Sequence, residues 1–266
     1  MIHRRKSLHS TGYLNDDSMI RRHRYFEFNV NNTQVISGQF STLSGQEISV
    51  DWGDGSRSTY SGTDQVWSHD YGSAGNYVVR IFGSVALTKF KMDQSGANIS
   101  FDIANLPSGL TYFSCWGNNT VTGDITNLPS GLTFFSCWGN NTVTGDITNL
   151  PSGITFFSCK GNNTVSGDIA NLPSGLTYFG CWGSNIIADY SGKTWTTKPA
   201  KFYIVPVSPG GLSTAEVDQL LIDFDADLTW ASGDAIELTG TNAARSAASD
   251  AAVTNMTNEG ATITTN

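Results

Sequence analysis

The feature that most constrains the fold is a 22-residue unit that recurs through the middle of the chain. Residues 104–125 read ANLPSGLTYFSCWGNNTVTGDI, and residues 126–147 repeat this unit with two differences. Residues 148–169 differ from the second copy at three positions, and a fourth copy loses the pattern after Gly183. Units of this length stack side by side, because each can bury its apolar side chains only against its neighbours. The repeats therefore predict a stacked array of short strands.

Within each copy the apolar side chains follow the pattern L-P-x-x-L-x-x-F-x-C-x-x-N-N-x-V. This spacing resembles the bacterial leucine-rich repeats, although Phe and Cys stand where that family usually has Leu. The resemblance covers roughly residues 87–187, and residues 87–92 look like a degenerate first strand. The inward set that it implies for the first copy is Leu110, Phe113, Cys115 and Val121. Asn118 or Asn119 would then cap the bend by bonding to exposed backbone.

Upstream of the repeats, residues 25–83 alternate polar and apolar residues, as half-buried strands do. Residues 50–56 (VDWGDGS) and 69–77 (HDYGSAGNY) resemble the paired hallmarks of PKD-like domains. That resemblance implies an immunoglobulin-like sandwich, a module common in extracellular adhesion proteins.

Downstream of the repeats, residues 200–266 predict alternating strands and helices. Ser213 and Glu216 form a capping box before an apolar helix face, and a second helix is predicted near residues 249–258. The predicted fold class is therefore mainly β, an immunoglobulin-like β-sandwich plus a leucine-rich-repeat solenoid with an α/β C-terminal cap. The predicted segments are a basic arm (1–24), the sandwich (25–84), the repeats (85–187) and the capping repeats (188–266).

The net charge of −8 is unevenly distributed along the chain. Residues 1–24 hold six basic side chains against two acidic ones, which leaves −12 on the rest. The basic side chains are Arg4, Arg5, Lys6, Arg21, Arg22 and Arg24. A basic arm on an acidic body favours docking on an acidic partner, with a solvated terminus as the alternative. The first 20 residues lack the apolar core of a secretion signal, and no apolar run approaches the roughly 18 residues of a membrane helix.

The four cysteines share the 22-residue period, one in each copy. Side chains that point the same way from neighbouring parallel strands make poor disulfide geometry, so the period predicts a buried column of free thiols. Asp124, Asp146 and Asp168 also recur once in each copy. A single carboxylate per copy favours turn capping over a calcium ladder.

The chain shows no constellation typical of catalysis. All four histidines lie outside the repeats, and there is no phosphate loop, no His-Glu-x-x-His and no Ser-centred elbow. Near-identical copies also argue against catalysis, because an active site is one asymmetric arrangement. The sequence therefore predicts no enzymatic activity, no cofactor and no metal.

If Phe113 and Cys115 point inward, their neighbours along each strand point outward. We call the predicted outward set the aromatic face; its members form two stripes separated by a lane of small residues. They are Tyr112, Trp116, Phe134, Trp138, Phe156, Lys160, Tyr178 and Trp182. A contiguous aromatic patch flanked by hydroxyls suits a sugar or a protein partner. The alternatives are that the rings stack on one another or are covered by a second subunit in a homo-oligomer.

The predicted function is non-enzymatic recognition. An adhesion-type architecture without a secretion signal fits a virion surface component of a bacteriophage, either a fibre or a capsid or tail decoration. The arm would dock on other virion or surface proteins, and the aromatic face would contact a host glycan or protein. The predicted location is the virion, hence extracellular after release. A bacterial cell-surface adhesin and a protein-interaction scaffold remain as alternatives.

Overall fold

The computed structural model describes residues 25–94, 98–117, 119–161, 163–183, 185–207 and 210–266. The docking residues predicted in the arm (1–24) lie outside this range. The described residues form sixteen strands and two α-helices, which confirms the mainly β prediction. Neither helix has the length and apolar character that crossing a lipid bilayer requires, and the described part of the chain contains no other helix that does.

Four antiparallel strands precede the repeats and lie within residues 25–82. They are β1 (Tyr25–Thr42), β2 (Glu47–Asp51), β3 (Arg57–Ser61) and β4 (Gln65–Phe82). β1 pairs with β4 over most of its length, with the register broken on either side of Thr33. β2 pairs with β3 and with β4. The apolar alternation in residues 25–83 is thus that of strands, as predicted.

From Leu87 onward, short strands and 3-10 turns alternate. The strands are β5 (Leu87–Gln94), β6 (Ile99–Asp102), β7 (Tyr112–Gly117), β8 (Thr120–Asp124), β9 (Phe134–Asp146), β10 (Phe156–Gly161), β11 (Thr164–Asp168), β12 (Tyr178–Trp182) and β13 (Asn185–Asp189). β5, β7, β9, β10 and β12 pair in parallel as one ladder, which is hereafter called the main ladder. β6, β8, β9, β11 and β13 pair in parallel as a second ladder. β9 is long enough to belong to both.

The strand pairings overturn the predicted fold class. β1 pairs with both β5 and β6, which lie on different ladders, and β9 joins the two ladders at the other side. β1, β5, β7, β9, β8 and β6 therefore close into a six-stranded barrel, from which the remaining strands extend a single sixteen-stranded sheet. The prediction of an immunoglobulin-like β-sandwich plus a leucine-rich-repeat solenoid with an α/β cap is wrong. The physical reason is that β1, with 18 residues, is long enough to pair with β4 and also bridge both ladders.

Two columns of identical residues form the core of the main ladder. Phe113 and Cys115 pair in register with Phe135 and Cys137, and the same pairing continues into β10 and β12. The Phe113 and Phe135 rings stack with centroids 5.3 Å apart, and both side chains are fully buried. Burying each such ring stabilises the fold by about 1.5–3 kcal/mol. The in-register stacking explains why the copies remain nearly identical at these positions.

Capping side chains fix the bends between strands. Asp124 Oδ1 accepts a 2.9 Å hydrogen bond from Thr126 N, and Asp146 and Asp168 cap their own turns in the same way. The predicted capping role of these carboxylates is thereby confirmed. Asn119 is buried and accepts a 3.2 Å hydrogen bond from Ile99 N, as predicted, whereas Asn118 lies outside the described residues.

The C-terminal segment continues the main ladder with larger units. β14 (Lys201–Val205), β15 (Ala235–Leu238) and β16 (Thr262–Thr265) extend it in parallel, and α1 (Thr214–Asp227) and α2 (Asp250–Asn258) connect them. α1 begins at the predicted capping box, in which Ser213 and Glu216 each bond to the other's backbone. Phe224 from α1 packs on Phe202 from β14 with ring centroids 5.1 Å apart.

Candidate binding face of the parallel ladder

The side of the main ladder opposite the core carries all eight residues of the aromatic face. Since Phe113 and Cys115 are buried on the inner side, the alternation of strand side chains places Tyr112, Ser114 and Trp116 on the outer side. The parallel register brings equivalent residues of successive copies next to one another. Two stripes result. One is a continuous stripe of Tyr and Phe, and the other is a stripe of Trp that Lys160 interrupts.

The stripe of Tyr and Phe is a stack of nearly parallel rings. The ring centroids of Tyr112 and Phe134 lie 4.2 Å apart, and those of Phe134 and Phe156 lie 4.1 Å apart, with interplanar angles of 9° and 14°. Tyr178 continues the stack at 4.1 Å from Phe156. Because the ring faces cover one another, the rings are partly buried and expose mainly their edges. Burial raises the pKa of Tyr178 to about 12.

The tryptophan stripe is also in ring contact along its length. Trp116 and Trp138 stack with centroids 4.9 Å apart and an interplanar angle of 10°. Lys160 takes the next position, with its Nζ 5.5 Å from the centre of the Trp138 ring. The ring of Trp182 reaches back to 5.6 Å from Trp138 and meets it nearly edge-on. Tyr203, which lies 5.0 Å from Trp182 and 5.9 Å from Tyr178, joins the two stripes at this end.

The lane between the stripes is closed, unlike the accessible row of hydroxyls that the sequence predicts. Ser114, Ser136 and Ser158 are 2 %, 0 % and 1 % exposed. Trp116 Nε1 donates a 2.9 Å hydrogen bond to Ser136 Oγ, and Trp138 Nε1 donates a 2.8 Å bond to Ser158 Oγ. Each indole therefore lies over the serine of the next copy, and these hydroxyls bond to the protein instead of a ligand.

The fourth copy closes the lane by a different contact. Gly180 replaces serine here, and a Cβ at this position would lie 2.4 Å from atoms of the Trp182 ring. The Trp182 ring thus occupies the space that a serine side chain would need. Trp182 can reach Trp138 and Tyr203 only because residue 180 has no side chain.

Sequence reasoning missed four further residues on this side of the ladder. Strand register places Lys89 and Lys91 beside Tyr112 and Ser114, and Lys201 and Tyr203 beside Tyr178 and Gly180. They lie outside the near-identical copies that begin at residue 104, so the 22-residue period gave no indication of them. Lys89 Nζ is 4.8 Å from the centre of the Tyr112 ring and 2.6 Å from Asp64 Oδ1. The Lys89 ammonium lowers the pKa of Asp64 by hydrogen bonding and by its charge.

Two other polar clusters stand outside the aromatic face. Near β4, His69 Nε2 lies 2.8 Å from Asp54 Oδ2, and the His69 ring stacks on Trp52 at 4.6 Å. Beside α1, a cleft of about 540 Å³ is lined in part by Tyr190, whose hydroxyl donates a 2.6 Å hydrogen bond to Asp223. In both clusters the polar groups bond to one another, which accounts for their arrangement structurally.

In the described part of the chain, no site is arranged to bind a metal ion or to use a reactive thiol. No group of three or more His, Cys, Asp or Glu side chains there is arranged to hold a metal ion. The four cysteines are free and buried, and Cys159 Sγ lies 3.4 Å from Cys181 Sγ. Burial raises the pKa of the Cys137 and Cys181 thiols well above their ordinary value, so these thiols remain protonated.

The chain matches no protein-family model, no curated protein and no solved structure. The resemblances of residues 50–77 to PKD-like domains and of residues 87–187 to leucine-rich repeats therefore remain predictions.

Proposed function

We propose that this chain is a non-enzymatic recognition protein that contacts a host-surface glycan or protein through the aromatic face. The observation that carries the proposal is Trp116, a residue that is 41 % exposed at one end of the tryptophan stripe and stacks on Trp138. Most large aromatic side chains of the described residues are buried instead. Tryptophan and tyrosine dominate binding energy at protein interfaces, since they combine a large apolar area with a polar group.

The rings stack on one another, which is the arrangement expected if they only stiffen the sheet, but the stacking also holds the face in a fixed shape for a partner. Each ring is held by the rings before and after it, and Trp116 and Trp138 are further fixed by hydrogen bonds to serine. A surface whose side chains are already immobilised loses little conformational entropy when it binds. The repeated copies would present an extended partner with the same contact several times.

We further propose that the arm attaches the protein to a virus particle. The basic residues of the arm (1–24) would dock the chain on other virion or surface proteins, leaving the aromatic face exposed to the host. The supporting observation is the charge asymmetry between this arm and the acidic remainder of the chain. A bacterial cell-surface adhesin would use the same face without the particle, and an interaction scaffold would use it inside the cell.

Binding through the aromatic face is tested with labelled protein on intact host cells. We expect Trp116→Ala to weaken cell binding about tenfold, because it removes an exposed interface tryptophan worth about 1–2 kcal/mol or more. Val85→Ala is the matched control, since Val85 is 60 % exposed and lies in the 3-10 turn before β5, outside the main ladder. Periodate and protease treatment of the cells then separate a glycan receptor from a protein receptor. Equal binding of the Trp116 and Val85 variants would contradict the proposal.

The arm is tested by deleting residues 1–24. We expect the truncated protein to remain folded in a thermal melt but to be lost from assembled particles. Immunogold labelling of particles and of host cells separates the virion component from the adhesin and from the scaffold. Normal incorporation of the truncated protein into particles would contradict the docking role.

A further inference from the structure

The cations of the chain are concentrated beside the aromatic rings. Fifteen Lys and Arg residues are present, and six of them belong to the arm, which leaves nine in residues 25–266. Four of these nine lie on the outer side of the main ladder: Lys89, Lys91, Lys160 and Lys201. Residues 25–266 carry a net charge of −12, so the lysines are concentrated on one side of a segment that is acidic as a whole.

The lysines are spread along the ladder. Lys91 lies on β5, Lys160 on β10 and Lys201 on β14, so three and two strand spacings separate them. At about 4.8 Å per spacing, Lys160 lies about 14 Å from Lys91 and about 10 Å from Lys201 along the ladder. Lys160 is exposed at a position where the neighbouring copies have Trp. Positive charge thus recurs at intervals along the aromatic stripes.

Three acidic residues occupy positions on this side of the ladder, one fewer than the lysines. Asp64 pairs with Lys89 at 2.6 Å, and Glu237 lies in register with Tyr203 and accepts a hydrogen bond from Thr239. Asp93 occupies the register position next to Trp116. Residues 25–266 contain 21 of the 23 acidic residues, and most of these lie elsewhere. An anionic ligand would therefore be repelled by most of the body and attracted mainly here.

The orientation of the rings favours the same class of ligand. An aromatic ring is electronegative on its face and electropositive along its edge. Because the Tyr and Phe rings cover one another's faces, they present mainly their electropositive edges to a ligand. Such edges suit the oxygen atoms of carboxylate or sulfate groups better than the apolar face of a neutral sugar.

We infer that the aromatic face binds an acidic polysaccharide, a chain of sugar rings bearing carboxylate or sulfate groups. The exposed ammonium of Lys160 is the central contact, held over the Trp138 ring. This inference rests on the proposed function and specifies its ligand class. Single-stranded nucleic acid is less suited, because it binds by stacking bases on open aromatic faces, and the faces within the Tyr and Phe stack are covered.

The test is calorimetric titration of the full chain with three acidic polysaccharides: polygalacturonate, hyaluronan and heparin. Fully methyl-esterified polygalacturonate and dextran are the neutral counterparts, and a single-stranded DNA of mixed sequence is included. We expect at least one acidic chain to bind about tenfold more tightly than both neutral ones, and to lose affinity as salt is raised.

Variants assign the binding to the face. We expect Lys160→Met to weaken acidic-chain binding up to about fivefold, and Lys160→Arg to retain it. Arg57→Gln is the matched control, because it removes an exposed cation on β3, and its binding should be unchanged. A thermal melt of each variant checks that it is folded.

Several results would overturn the inference, and they are distinguishable from failure of the proposed function. Equal binding of neutral and acidic chains, or no binding by any acidic chain, rejects the ligand class even if Trp116→Ala still weakens cell binding. Tighter binding of the DNA than of every acidic polysaccharide rejects it in favour of nucleic acid. Equal losses for Lys160→Met and Arg57→Gln would show that attraction is general and not located at the face.

Discussion

The indole nitrogen of Trp138 donates a 2.8 Å hydrogen bond to the hydroxyl of Ser158, which belongs to the next copy of the repeat. Trp116 makes the equivalent bond to Ser136. The third copy has Lys160 where the first two copies have Trp. On the next strand, Gly180 stands where a serine would accept the hydrogen bond of such a Trp. The third copy therefore lacks the indole donor, and the fourth copy lacks the serine acceptor that this donor would use. Without a serine at position 180, a tryptophan at position 160 would lack the acceptor that Trp116 and Trp138 use.

The first prediction concerns this hydrogen bond. We expect Ser158→Ala to lower the free energy of unfolding by about 1 kcal/mol, because the bonded hydroxyl is buried. Trp138→Phe should cost a similar amount through the same bond, and the double variant should cost less than the sum of both. Denaturant unfolding measures all three, with the exposed Ser130→Ala as the control. Additive losses would show that the two side chains do not cooperate.

The second prediction concerns a glycine that makes room for a capping carboxylate. Gly145 has φ +117°, and a Cβ there would lie 2.4 Å from Asp124 Oδ1. We expect Gly145→Ala to destabilise the protein by about 1–3 kcal/mol, through backbone strain and displacement of the cap. Gly131→Ala, in the same copy, has open space around the new methyl group and should be neutral or slightly stabilising. Equal melting temperatures for the two variants would refute the packing argument.

The third prediction concerns the buried thiols at high pH. Burial holds the pKa of Cys137 well above the ordinary value of 9.0, whereas the unfolded chain titrates near that value. The stability tied to this protonated thiol is complete below pH 9 and declines as pH rises further, since the unfolded state then binds fewer protons. We expect the melting temperature to fall above pH 9, and to fall less steeply for Cys137→Ala, which lacks the group.

The same thiols should resist modification in the folded protein. All four cysteines are buried and none forms a disulfide, so we expect an aromatic disulfide reagent to react with them only after denaturant is added. A thiol reductant should leave the melting temperature unchanged. Rapid reaction in the native state would show that the column opens to solvent.

The fourth prediction concerns Asp54 at low pH. Burial alone would raise the pKa of Asp54, but hydrogen bonds from Ser56 and His69 and the His69 charge lower it to about 2. Stability from the Asp54 carboxylate is therefore present above its ordinary pKa of 3.8 and lost as pH falls through about 2. We expect Asp54→Asn to lower the melting temperature at pH 7 and to have little effect near pH 2. A constant difference across this range would contradict the assignment.

Sequence periodicity predicted the local features of the chain. The alternation around Phe113 and Cys115 gave the inner and outer sides of the strands, and the capping box at Ser213 gave the start of α1. These features depend on residues a few positions apart, so a single copy of the pattern contains the information. The free thiol column followed from the 22-residue period for the same reason.

The barrel and the closed lane could not be predicted in this way. Closure depends on Gln39 pairing with Lys91 and Asn29 pairing with Ser100, contacts across segments whose patterns resemble different families. Likewise, alternation shows which side Trp138 points to, but not that its ring leans over Ser158 in the next copy. Both features are set by contacts between segments, which a local pattern does not encode.

The order of strands along the chain bears on how the protein forms during synthesis. Every strand of the six-stranded barrel lies between Tyr25 and Asp146, so the barrel can close while the later copies are still being translated. Each later strand of the main ladder can then pair with an edge that is already formed, although the connection to it carries a further strand or a helix in most cases. The N-terminal part of the chain can thus serve as a template for the rest, because the ribosome delivers the later strands of the main ladder in the order in which they pair.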